Sequence, residues 1–256
     1  MISDIKELIR KYFFSAFKIA NKENKIYIII VAFSLINFSS GFFNTKEPYS
    51  LLFSLLQFLA WAFSLSVPYF IIKHLEKQKI EYGFMVKKTL TTARRLIIPA
   101  ILVTILVLFV IMGSIFVAIQ GQTAAEIQSY FKSLYTQLID LPHQPIVFLV
   151  TIPFALVTSL FCFQPIFFTL KQKSFFISFI DSLKFSFQNM RFIYLVAFYS
   201  FFLSLFSSVY SFLSSASFND FNFRLVFFFI YLFTQYFFLI ETIAATLYFF
   251  DKDNGK

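Results

Sequence analysis

Six long apolar runs constrain this chain more than any other feature. They cover residues 26–43, 51–72, 96–119, 146–170, 192–213 and 225–250. Each falls in the range of roughly 17–25 residues that crosses a hydrocarbon core of about 30 Å. In lipid the backbone of a span must satisfy its own hydrogen bonds, so the runs are expected to be helices rather than open strands. Composition agrees: 59% of the residues are hydrophobic and 14% charged, where soluble domains carry about 25% charged residues. With 43 Phe in 256 residues, a water-soluble fold would expose more apolar surface than a monomer tolerates. The expected class is an all-α integral membrane protein of six transmembrane helices.

The net charge of +9 raises the question of nucleic acid, and its location answers it. Of the 22 basic residues, all but Lys46, Lys132 and Arg224 lie in four places: the N-terminal 25 residues, the stretches 73–95 and 171–191, and the tail 251–256. By the positive-inside rule these segments and both termini are expected to face the cytoplasm. The charge then serves topology and attraction to anionic headgroups, and no nucleic acid is needed to explain it. The start of the chain does not look like a cleavable signal, because a polar, amphipathic stretch precedes the first apolar run and no small-residue cleavage site follows.

Three cytoplasmic segments leading into odd-numbered spans look alike: "FFSAFKIANKENKIYIII", "FMVKKTLTTARRLIIPAI" and "FIDSLKFSFQNMRFIYLV". Each holds a basic pair seven residues apart, Lys18 with Lys25, Lys88 with Arg95, and Lys184 with Arg191. On an unbroken helix that spacing puts both members on one face. In the third segment Asp181, Lys184, Gln188 and Arg191 form a polar stripe opposite Ile180, Leu183, Phe187 and Met190. This is the pattern of a helix lying in the membrane interface, with its basic face toward headgroups. The organisation expected is one membrane domain over 1–256: an amphipathic helix at 1–25, a hairpin at 26–72, an amphipathic segment at 73–95, a hairpin at 96–170, an amphipathic segment at 171–191, a hairpin at 192–250 and a tail at 251–256.

The run "PFALVTSLFCFQPIFFTLKQKSFFISFIDSLKFSFQNMRFIYLVAFYSF" resembles the YciC-like bacterial inner-membrane proteins and the membrane domain fused to glycerophosphodiester phosphodiesterases. The likeness is carried by Ser182, Leu183, Lys184, Ser186, Phe187, Asn189, Met190 and Arg191, which stand in the order S-(hydrophobic)-(K/R)-x-(S/T)-(aromatic)-x-N-(hydrophobic)-R. It covers about 60 residues well, the rest only in layout, and departs from the pattern in its Phe richness and at Gln164-Pro165. The resemblance implies an integral membrane protein of unassigned activity, loosely associated with phospholipid metabolism. It does not bring the phosphodiesterase barrel with it.

Glu241, in "FFLIETIAATLYFF", is the one ionisable residue well inside a span. A carboxyl at that depth either relays a proton, binds a cation or meets a lipid amine, or it is a neutral group hydrogen-bonded to a neighbouring helix through Gln57, Gln164 or a hydroxyl. Gln57, Thr151, Gln164 and Gln235 could build a polar interior with it, or act as interhelical glue. Ser200, Ser204, Ser208 and Ser211 form a small-residue stripe for close helix packing. Pro68, Pro99, Pro153 and Pro165 are expected to kink their spans. Cys162 reads as an inert buried thiol, and His74 and His143 as interface or loop residues. Residues 127–138, in the stretch between the third and fourth spans, have the spacing of a surface amphipathic helix. No nucleophile elbow, metal-ligand spacing, carboxylate pair or Gly-rich phosphate loop occurs, so no catalytic residue, metal or cofactor is expected. The leading expectation is a non-enzymatic protein that handles phospholipid, its headgroup contacts made by Lys18, Lys25, Lys88, Arg95, Lys184 and Arg191. A partner subunit or assembly factor of a larger membrane complex stands second, and a small-solute or ion transporter third.

Overall fold

The computed structural model describes residues 2–40, 49–119, 129, 153, 155–216 and 221–254. All regular structure among them is helical. Helix α1 (Ile2–Leu8) passes through a π-helical turn (Ile9–Phe13) into α2 (Phe14–Lys22). Then follow α3 (Asn24–Ser40), α4 (Tyr49–Leu75), α5 (Tyr82–Ile119), α6 (Gln164–Thr169), α7 (Phe175–Gln188), α8 (Met190–Ala216) and α9 (Phe221–Asn254). Among the described residues three stretches are long and apolar enough to cross a membrane: Ser54–Leu75, Tyr82–Val110 and Phe228–Asp253. Shorter apolar helices occupy Asn24–Phe33, Ala155–Thr169 and Met190–Leu203. The predicted helix at 127–138, His143 and Thr151 lie outside the described residues.

Local chemistry explains where the chain turns. Glu23, with φ −94° and ψ 62°, breaks the helix between α2 and α3. Asn189, with φ −126° and ψ 37°, does the same between α7 and α8. The two loops that follow α4 and α6 each contain a Lys-Gln-Lys triplet and close through a residue in the left-handed region, Lys77 (φ 56°) and Gln172 (φ 52°). A left-handed residue just past a helix end lets following N–H groups reach its last carbonyls: the N–H of Gln78 donates to Lys73 O and that of Lys173 to Phe167 O. The fourth expected span is interrupted by a turn at 160–163, after which Pro165 enters the first turn of α6. There its missing N–H costs nothing.

The core is aromatic and gathers near the start of the chain. Phe163, Phe192, Tyr248 and Phe249 from three separate segments share one cluster with Tyr12 of the π turn, which touches Phe192 and Tyr248 directly. Phe192 stacks on Tyr248 with centroids 4.1 Å apart, and Tyr12 meets Tyr248 edge-on at 5.1 Å. Such pairs add about 0.5–1.5 kcal/mol each beyond area burial.

The N-terminal helix is also strapped down by polar contacts. Asp4 pairs with Arg191 at 3.4 Å, Lys11 with Asp251 at 2.8 Å, and Tyr236 donates to Asn21 at 2.7 Å. Lys171 pairs with Asp253 at 2.6 Å. Both ends of the chain therefore sit at the same end of the bundle. The second amphipathic segment differs from its counterparts: α5 runs unbroken from Tyr82 through Arg95 and Pro99 into the apolar stretch.

Candidate functional site

The described members of the predicted polar interior occupy three places on helices α4, α6 and α9. Gln164 on α6 is buried and donates from Nε2 to Ser178 Oγ at 3.2 Å. Glu241 on α9 accepts from the Ser200 hydroxyl of α8 at 2.9 Å. Of the partners expected for Glu241, a hydroxyl is the one the fold supplies, and it comes from the serine stripe of the fifth span. The adjacent Tyr199 turns its hydroxyl to Phe237 O at 3.1 Å instead.

Gln57 and Gln235 come together elsewhere, in a partly open groove of about 220 Å³ between α3, α4 and α9. Its walls are mostly apolar, with Phe33, Phe63 and Leu239 among them, and Ser64 and Thr242 add two hydroxyls. Each hydroxyl donates to a carbonyl of its own helix, Ser64 to Ala60 O at 3.1 Å and Thr242 to Phe238 O at 3.0 Å.

The amphipathic helices show a face that the sequence pattern missed. On α7 the residues turned into the bundle are Phe175, Ser178, Ser182 and Ser186. Ser182 and Ser186 both donate to Leu160 O, at 3.0 and 2.7 Å, in the turn that interrupts the fourth apolar run. Their spacing of four residues was visible, but they were hidden among Phe and Ile whose hydrophobicity dominates any pattern. Outward, α7 exposes Phe176, Ile177, Ile180 and Phe187 together with Lys184. Helix α2 does likewise, burying Ala16 and Ala20 and exposing Phe14, Phe17 and Lys18.

The six basic residues expected to meet headgroups divide into two sets. Four are engaged within the protein. Lys25 Nζ donates to Ile80 O at 2.6 Å, and Lys88 Nζ lies 4.2 Å from the Tyr69 ring. Arg95 donates to Lys173 O at 2.7 Å with its guanidinium 4.3 Å from the Phe168 ring, and Arg191 pairs with Asp4. Lys18 and Lys184 face outward, and Lys18 shares a surface hollow with Lys6 and Arg10. The basic pairs at 18/25 and 184/191 do not share a helix face, since the breaks at Glu23 and Asn189 fall between their members.

Sequence reasoning gave no role to Lys11, Tyr12 and Asp251. Both Lys11 Nζ and the Tyr12 hydroxyl donate to the same oxygen of Asp251, at 2.8 and 2.7 Å. The hydrogen bond to Asp251 raises the Lys11 ammonium above its ordinary range. Burial, with the hydrogen bond to Asp251 second, pushes the Tyr12 phenol up to about 12. His74 meets Glu23 across the break between α2 and α3. Cys162 is half-buried. Among the described residues no three His, Cys, Asp or Glu side chains gather at metal-binding distance.

The chain matches no protein-family model, no curated protein and no solved structure.

Proposed function

We propose that this chain is a non-enzymatic, multi-pass protein of a bacterial cytoplasmic membrane that binds phospholipid, with six spans and both termini in the cytoplasm. The observation that carries the reading is the outward face of α2 and α7. Each presents large apolar side chains beside a lysine, Phe14 and Phe17 with Lys18, and Phe176, Ile180 and Phe187 with Lys184. A helix of that kind rests its apolar residues at the acyl boundary and its cations among anionic headgroups. The likeness of "SLKFSFQNMR" to the YciC-like proteins points the same way. Lys25, Lys88, Arg95 and Arg191 then act chiefly as ties that hold the interfacial helices to the spans. Glu241, bonded to Ser200, serves helix packing in this reading.

The test is lipid retention. The protein is reconstituted with equal phosphatidylglycerol and phosphatidylcholine, extracted, and its retained lipid quantified. Phosphatidylglycerol is expected to be enriched. Replacing both Lys18 and Lys184 by Gln should reduce that enrichment by up to about thirtyfold, since each basic residue near an anionic surface is worth about 1 kcal/mol. Equal retention of the two lipids by the unaltered protein defeats the proposal.

A further inference from the structure

We infer that the groove between α3, α4 and α9 holds a single acyl chain of a membrane phospholipid, whose ester carbonyl meets the amide of Gln235, with Gln57 beside it on the groove wall. This deepens the phospholipid reading by giving it an intramembrane site away from the basic collar.

Register is the first argument. The groove is lined by residues from Leu56 to Val67 of α4 and from Tyr231 to Thr242 of α9, stretches of equal length that lead on to Lys73 and Asp251 near the ends of their helices. At about 1.5 Å per residue, Gln57 lies about 24 Å from Lys73, and Gln235 lies the same distance from Asp251. Ser64 and Thr242 are likewise level with each other, about 13–14 Å from those two residues. The groove thus has two polar rungs, an amide rung in the half of the membrane away from the chain ends and a hydroxyl rung two turns nearer to them.

Chemistry distinguishes the rungs. Both hydroxyls already donate to carbonyls of their own helices, so they offer no free proton. An amide NH2 has two donors, and Gln235 has no hydrogen-bond partner among the described residues. A donor in hydrocarbon without a partner costs about 1–3 kcal/mol by protein mutational data. A ligand that supplies an acceptor at the amide rung and only hydrocarbon below it removes that cost. An ester-linked acyl chain has this sequence of groups.

Size decides against larger occupants. From Leu56 to Val67 along α4, and from Tyr231 to Thr242 along α9, the lining spans about 16 Å. That is about half of a 30 Å hydrocarbon core, the reach of one leaflet's chain. A cavity of about 150 Å³ accepts benzene, so the 220 Å³ here suits a chain segment. A transmembrane helix, about 10–12 Å across with its side chains, does not fit.

The inference is tested in nanodiscs of phosphatidylcholine carrying a fraction of phosphatidylcholine with a mid-chain diazirine. After photolysis, labelled residues are mapped by mass spectrometry. Labels are expected to concentrate on Phe33, Phe63 and Leu239 rather than on Ile98 and Phe109, which are exposed on α5. Gln57→Leu with Gln235→Leu should lower groove labelling about tenfold, the loss expected for one to two neutral hydrogen bonds. Ala60→Phe should lower it by filling the space, with circular dichroism confirming the helix content of every variant. Equal labelling of groove and exposed α5 residues overturns the inference. So does undiminished groove labelling in the double Leu variant. Because the probe lipid is zwitterionic, a labelled groove beside indifference to phosphatidylglycerol would retain this site while removing the collar reading, and the converse holds.

Discussion

The Leu160 carbonyl receives two hydroxyl donors, from Ser182 and Ser186, one helical turn apart on α7. It lies in the turn that interrupts the fourth apolar run, where the regular helical ladder no longer supplies a donor to every carbonyl. In an apolar bundle an orphaned carbonyl is expensive, so the serines work as a cap delivered from a neighbouring helix. Replacing both serines by Ala should lower stability by about 1–3 kcal/mol, while either replacement alone should cost clearly less, because the remaining hydroxyl still serves the carbonyl. Thermal unfolding in detergent measures this, and additive single and double effects would refute the shared-acceptor account. The sequence displayed Ser178, Ser182 and Ser186 at helical spacing, but not which carbonyl they met. That carbonyl exists as an acceptor only because a span breaks more than twenty residues earlier.

At the scale of elements, two of the three look-alike segments share a build. In each, a break residue stands five positions after the first cation and two before the second: Glu23 between Lys18 and Lys25, Asn189 between Lys184 and Arg191. The corresponding position between Lys88 and Arg95 is Ala93, a good helix former, and α5 continues through it. Charge spacing was legible in all three segments, and the breaks were not. Glu is also a good helix former, and nothing local announces that Glu23 is drawn to His74. Asn189 is a clearer signal, since its side chain bonds Phe185 O and accepts from Tyr248. The N-terminal strap gives a prediction with a definite sign. Lys11 is raised in the folded protein, so its contribution is complete below its ordinary value near 10.5 and is lost as pH climbs through the raised one. Protection of the α1 and α2 amides, corrected for the intrinsic pH dependence of exchange, should therefore be level across the neutral range, and the helices should loosen only above about pH 10. Lys11→Gln should shrink that alkaline step and leave the part that Tyr12 supplies, because its phenol too is raised in the folded protein. Loosening between pH 6 and 8 would assign the strap to other groups.

For the whole molecule, the helical class followed from hydropathy alone, and three of the six expected crossings appear as helices of full length and apolarity. The regions around 26–43, 146–170 and 192–213 show shorter apolar helices among the described residues. Sidedness has a separate physical support. Asp4 with Arg191, Lys11 with Asp251 and Lys171 with Asp253 close one end of the bundle, and they bring residues near both chain ends together. Ends tied to each other fit one face of a membrane, which supports the even number of crossings in the proposed topology. In the proposed reading the basic residues of those ties face the cytoplasm, as the positive-inside rule expects. On a Cys162→Ser background, Ser15→Cys and Lys252→Cys should both react with a membrane-impermeant maleimide in inverted vesicles and neither in intact spheroplasts. Labelling of one from each side would break the even count. Labelling of both from outside would reverse the orientation, put Lys18 and Lys184 on the periplasmic face, and remove the anionic cytoplasmic leaflet as their partner.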